Sequence, residues 1–233
     1  MNGRLHNPVL TTLAVFLALC AMPRLHAQGV LVDQVIAVVN GDLILESDID
    51  EERRFEAFQP FSYPDGPSSR AAIIDRLIDR TLILQQAKLQ PNDRVTLAEA
   101  EAELKTLRTE IPACKPAHCE TDAGWQKFVQ SQGFTIPEVE ELWRERMETL
   151  RFVEIRFRAG IRISSDEIKS YYDKTLAPEL TRQKTTPPPL DTVSERIQEI
   201  LLQQRVGSLL TDWLATLKAQ GTVRIMKPGE EAP

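Results

Sequence analysis

The stretch D-Q-V-I-A-V-V-N-G-D-L-I-L-E-S-D-I-D, Asp33 to Asp50, decides the fold. Two β-branched apolar runs flank Asn40-Gly41, the residue pair that supplies both positive-φ positions of a type I′ hairpin turn. Val35 to Val39 and Leu43 to Leu45 are therefore predicted to pair antiparallel. Ser47 is placed to cap a following helix, with Asp48, Asp50 and Glu51 facing its positive N-terminal end. So small a hairpin cannot bury both faces alone, and it needs a third strand or a helical layer. Thr222 to Met226, at the far end of the chain, is the best candidate for that strand.

Working outward, the spacing predicts mostly helix. Asp48 to Phe58 reads as a short helix ended by Pro60. Ser69 to Leu89 carries Ile74, Leu77, Ile78, Leu82 and Leu89 at the steps of a buried stripe. Thr96-Leu97-Ala98-Glu99 is a capping box opening a helix to about Glu110. Gly124 to Gln132 is a further short helix closed by Gly133. Pro137 starts a long helix with Val139, Trp143, Met147, Leu150, Val153 and Phe157 along one face, ended by Gly160. Ser164 to Glu167 caps a short helix through Tyr172, and Thr192 to Glu195 opens one of nearly thirty residues to Ala219. The expected class is mainly α, with a small antiparallel sheet made from the N-terminal hairpin and the C-terminal strand.

Arg4, the apolar run Val9 to Met22 and the ending Leu25-His26-Ala27 have the form of a secretory signal peptide over residues 1–27. The run is shorter than the roughly 20 residues that span a bilayer, so no stable membrane span is expected in the mature chain. Removing Arg4 and Arg24 from the 28 basic side chains leaves 26 against 34 acidic ones, a formal charge of −8. That balance argues against a nucleic-acid partner, whose binding rests on Lys and Arg neutralising phosphates.

Val35 to Asp50, together with R-L-I-D-R-T-L-I-L-Q-Q-A at Arg76 to Ala87, resembles the N-terminal domain of the SurA, PpiD and PrsA group of exported chaperones and prolyl isomerases. Gly133-Phe134, then I-S-S-D-E-I-K-S-Y-Y at Ile163 to Tyr172, and W-L-A-T-L-K-A-Q-G-T-V-R-I at Trp213 to Ile225 follow in the same order. The resemblance implies that the last helix and strand return to complete the N-terminal domain. Isomerase members insert a parvulin domain of about a hundred residues before that last helix. Here Asp173 to Asp191 occupies the interval. The organisation expected is a signal peptide at 1–27, a chaperone core at 28–175, a Pro-containing linker at 176–190 in place of the insert, and a completing helix and strand at 191–233.

The inventory of side chains speaks against catalysis. His6 and His26 leave with the signal peptide, so His118 is the only imidazole of the mature chain, and a parvulin site with paired histidines cannot be built. Carboxylate pairs such as Glu99 and Glu101 lie on helix exteriors. Cys114 and Cys119, in an exported protein, favour a local disulfide worth roughly 2 kcal/mol. Three-ligand metal binding with His118 is the alternative, weakened by the lack of a fourth ligand and of C-x-x-C spacing. No cofactor is expected.

Contact points for an unfolded client are sought among Phe55, Phe58, Phe61, Tyr63, Trp143 and Met147, against the plainer reading that these are core. The resemblance implies a periplasmic chaperone that binds unfolded or nascent exported proteins, outer-membrane proteins among them, without isomerase activity. A non-catalytic adaptor holding one folded partner is the second reading, and a homodimer is compatible with either.

Overall fold

The computed structural model describes residues 33–61, 68–90, 94–227 and 230. The proposed signal peptide and Tyr63 lie outside them. Strand β1 (Val35–Val39) is central in a three-stranded antiparallel sheet, between β2 (Asp42–Leu45) and β3 (Val223–Ile225). Val39 faces Asp42 on one side and Val223 on the other, and Ala37 faces Ile44 and Ile225. Asn40 and Gly41 have φ of 52° and 96°, the turn that the Asn-Gly pair predicts. The fold is thus mainly helical, with a small sheet closed by both chain ends.

Asn40 makes that closure. Its N–H donates to the Thr222 carbonyl and its Oδ1 accepts from the Thr222 N–H, both at 2.8 Å. A side chain at Gly221 would place its Cβ 2.5 Å from Asn40 Oδ1, so the close approach requires glycine there. Gln85 seals the turn from above, donating to the Val39 carbonyl at 2.9 Å and to Asp42 at 2.8 Å.

Eight helices follow among the described residues: α1 (Glu46–Phe55), α2 (Arg70–Ala87), α3 (Leu97–Leu107), α4 (Asp122–Ser131), α5 (Ile136–Val153), α6 (Ser165–Tyr171), α7 (Ala177–Arg182) and α8 (Leu190–Gln220). The capping boxes at Thr96 and Ser164 form, each Glu three residues on accepting from the cap N–H at 2.7 and 2.9 Å. Three local expectations need correcting. Ser47 is not a cap, because the helix already begins at Glu46. Asp48 accepts from the Leu45 N–H at 2.7 Å, while the Ser47 hydroxyl donates to Asp33. The last helix begins at Leu190 rather than after Thr192, whose hydroxyl donates back to the Pro189 carbonyl at 2.7 Å. The interval expected as a linker is helical as far as Arg182. Pro178 directly follows the π turn Tyr172–Leu176 in a helical run unbroken from Ser165 to Arg182, so its missing N–H falls where the regular ladder is already interrupted.

Two apolar cores result. One joins β1, α2, the end of α5 and the C-terminal part of α8 through Ile36, Val39, Ile73, Leu82, Phe152 and Leu214. Leu89, expected on this stripe, lies past the end of α2 and is exposed. The other core is aromatic, with Phe58 completely buried among Phe55, Trp125, Phe128 and Phe134 at centroid distances of 5.2–5.8 Å. The disulfide Cys114–Cys119, Cα atoms 5.7 Å apart, lies in this second core. Between α1 and α2 the buried Glu52 carboxylate is paired twice, with Arg76 at 2.8 Å and Arg80 at 2.5 Å. Double pairing is what makes burial of that charge tolerable.

Truncation after Gln220 should lower the melting temperature of the mature chain by at least about 5 °C, because β1 loses a whole ladder and the body loses the buried Met226. Circular dichroism melts of the full and truncated chains measure it, and equal melting points would refute the closure.

Candidate functional site

The aromatic residues singled out in the sequence are mostly core. Phe55, Phe58 and Trp143 are 3%, 0% and 4% exposed, so they present no surface for a ligand and are corrected from contact residues to packing residues. The reason is mutual: Phe55 and Phe58 face each other and Phe134, and Trp143 faces Phe55 with centroids 6.2 Å apart. Met147 is half-buried against the same core. Phe61 is 48% exposed.

The open apolar surface lies elsewhere, between α5 and α8. Leu150 on α5 is 56% exposed although the helical spacing puts it in line with Trp143 and Met147. It stands between two bays. One, of about 500 Å³, is walled by α2, α5 and α8, with Ile83, Leu210 and Leu214 at its base. The other, of about 550 Å³, lies between the end of α5 and α8, with Val153, Leu202 and Val206. Leu202, Val206, Leu210 and Leu214 are spaced four apart, so they follow one ridge about 18 Å long that winds roughly a third of a turn around α8. The two bays share Leu150 as a wall and lie one after the other along α8, and together they form the groove of open apolar surface.

The rim of this groove is charged, and its ions are largely paired within the protein. Asp79 pairs with Lys218 at 2.5 Å, Arg80 with the buried Glu52, and Arg158 with Glu199 at 2.9 Å. Arg151 at the second bay donates to Glu99 at 2.8 Å. That hydrogen bond, with those from Thr96, holds the Glu99 carboxyl down to about 2. The groove thus offers apolar side chains inside a neutralised rim, suited to apolar segments of varied sequence.

His118, in a left-handed conformation after the Pro112–Ala117 turn, has an exposed ring with Nδ1 3.2 Å from Glu120. Both neighbouring thiols are in the disulfide. Among the described residues no group of three or more His, Cys, Asp or Glu is placed to hold a metal ion.

Sequence reasoning missed the groove because Leu150 continues a core stripe and α8 lacks one dominant apolar face. One signal was available. Leu201, Leu202, Leu209, Leu210, Trp213 and Leu214 surround α8 more fully than a surface helix with one buried face needs.

No protein-family model matches the chain. Chaperone SurA of Pseudomonas aeruginosa is 24% identical to it over 146 residues, which is 63% of this chain and 34% of that protein. The match thus spans about a third of the relative's length. Among solved structures, a chain from work on PEB4 and Cj1289, described as two structurally related SurA-like chaperones of Campylobacter jejuni, matches with a TM-score of 0.51 at 10% identity. It covers 83% of this chain and 99% of that one. The fold described above is therefore SurA-like.

Two outcomes test this surface. Glu99 keeps its depressed pKa only when folded, against about 4.3 unfolded, so its contribution is present above that value and lost as pH falls toward about 2. Glu99→Gln should be less stable than wild type at pH 7 in urea unfolding, and the difference should vanish as the pH is lowered through that window. Leu150→Asp should weaken binding of the apolar dye bis-ANS by about tenfold while leaving the melting temperature nearly unchanged, whereas Phe58→Ala should cost about 3–5 kcal/mol of stability.

Proposed function

We propose that this protein is a periplasmic chaperone that holds extended apolar segments of unfolded exported proteins, outer-membrane proteins among them, and does not catalyse prolyl isomerisation. The observation that carries the reading is the groove around Leu150, an apolar trough that the described helices leave uncovered on a SurA-like fold. A surface serving many unfolded clients needs apolar area without fixed polar demands, and a soluble surround. The paired rim and the acidic chain fit that requirement.

Export is supported by the signal-peptide form of residues 1–27 and by the Cys114–Cys119 disulfide, which persists in oxidising compartments. Among the described residues no helix is long and apolar enough to cross a membrane. The absence of isomerase activity is supported by the single imidazole of the mature chain and by the short stretch from the end of α6 through α7 to the start of α8, which stands where isomerase members of the resembling group carry an inserted domain.

The test has two arms. In light scattering, several-fold molar excess of the protein should suppress aggregation of a urea-unfolded outer-membrane β-barrel and of an unrelated denatured soluble protein. Failure with both, together with co-purification of one partner at fixed stoichiometry, would favour an adaptor instead. In a protease-coupled assay on an X-Pro peptide, exchange should stay at its uncatalysed pace of tens to hundreds of seconds, and acceleration by the protein would overturn the non-catalytic half.

A further inference from the structure

The two cores end abruptly along the chain. Neither includes a residue between Glu154 and Leu209. The intervening segment has packing of its own: α6, the π turn Tyr172–Leu176 and α7 run on as one continuous helix, and α6 packs on α8, where Ile168 and Ile197 are buried. The Tyr172 hydroxyl donates to the Pro188 carbonyl at 2.6 Å, and Arg205 pairs with Glu167 at 2.7 Å. This is an arm with its own small interior.

Two chain crossings join the arm to the body, one an irregular turn and the other a glycine within the unbroken helix α8. At the end of α5 the chain makes a π turn, Glu154–Arg158, and irregularities of this kind concentrate at functional sites. In α8 the crossing falls at Gly207. A Cβ there would meet no atom within 4 Å, so packing does not call for glycine. Relative to alanine, glycine weakens the helix at that residue by about fivefold in its local equilibrium. Glu154, Arg158, Val206 and Gly207 line the same bay of the groove, so the π turn and the glycine face each other across it.

The contacts around these points differ on the two sides. On the body side the π turn is pinned to Trp213, whose ring centroid is 5.6 Å from that of Phe152 and 5.5 Å from that of Phe157, with the Arg156 guanidinium 4.9 Å above it. On the arm side, the Arg158–Glu199 pair at 2.9 Å crosses from the π turn to α8, with both side chains about a third exposed. Partly hydrated pairs of this kind hold weakly and release readily. A firm fulcrum thus adjoins a light latch.

We propose that residues 161–206 form an arm that turns on an axis through the Glu154–Arg158 π turn and Gly207, latched by Arg158–Glu199, and so widens and narrows the bay lined by Leu202 and Val206. One groove thereby fits apolar segments of different bulk. This use of the motion rests on the chaperone reading, whereas the motion itself does not.

The test is pulsed electron spin resonance on the full mature chain, with its native disulfide intact. Nitroxide labels are placed at Thr175→Cys on the arm and Glu103→Cys on the body. A second pair, Glu103→Cys and Lys127→Cys, lies wholly within the body as a control. Two arm-to-body distance populations are expected. Gly207→Ala should reduce the open one about fivefold, and Glu199→Ala should enlarge it about two- to fivefold. The body pair should keep one distance throughout. A single narrow arm-to-body distance that neither substitution changes overturns the proposal, as does a body pair that shifts with the arm. Aggregation suppression with a rigid arm would refute this inference and leave the chaperone reading standing. Arm motion without holding of any denatured protein would do the reverse.

Discussion

The structure depends on the reciprocal hydrogen bonds between Asn40 and Thr222, residues 182 apart in sequence. They seal the end of the β1–β3 ladder, and without that ladder β1 would have β2 alone as a neighbour, a two-stranded hairpin that is marginal in water. With it, β1 becomes the central strand, Val39 and Ala37 are completely buried, and α8 must return across the body to deliver β3. The path of α8 beside α5 is the direct consequence of that closure, and the groove lies along that path.

The two cores divide the work of holding the body together. The sheet core is aliphatic and ties the chain ends to α2. The aromatic core locks α1, α4 and α5 around Phe58 and is stapled by Cys114–Cys119. Buried carboxylates bridge the seams. Glu52 joins α1 to α2, and Glu148 pairs with Arg94 at 2.6 Å and Arg144 at 2.5 Å. Beyond Val153 on α5 no such core covers α8, and apolar side chains there remain partly in water. The open surface thus arises where packing stops.

The features legible in the sequence are those made over a few residues. The Asn40-Gly41 turn needs only two backbone conformations. The boxes at Thr96 and Ser164 need only a cap and a glutamate three residues on, and each formed where the spacing put it. Ser47 and Thr192 misled for the complementary reason. Each could cap locally, but the strand leading into α1 and the extended Pro189 ahead of α8 started both helices earlier. The aromatic residues show the same limit. Phe61, in the Pro-containing segment Q-P-F-S-Y-P, is exposed as such a segment suggests, whereas the burial of Phe55 depends on rings brought from α5 and the Phe134 segment.

By itself the sequence determined the class of the fold, the hairpin, the pairing of the chain ends and the shortage of catalytic imidazole, because these follow from local backbone preference, periodicity or a simple count. Only the tertiary structure decided which apolar residues remain open. Trp143, Met147 and Leu150 continue one helical stripe, and periodicity treats them alike. What separates them is whether another element arrives to cover each position. For Trp143 the covering elements are α1 and the Phe134 segment, whereas at Leu150 α8 passes to one side and leaves the groove.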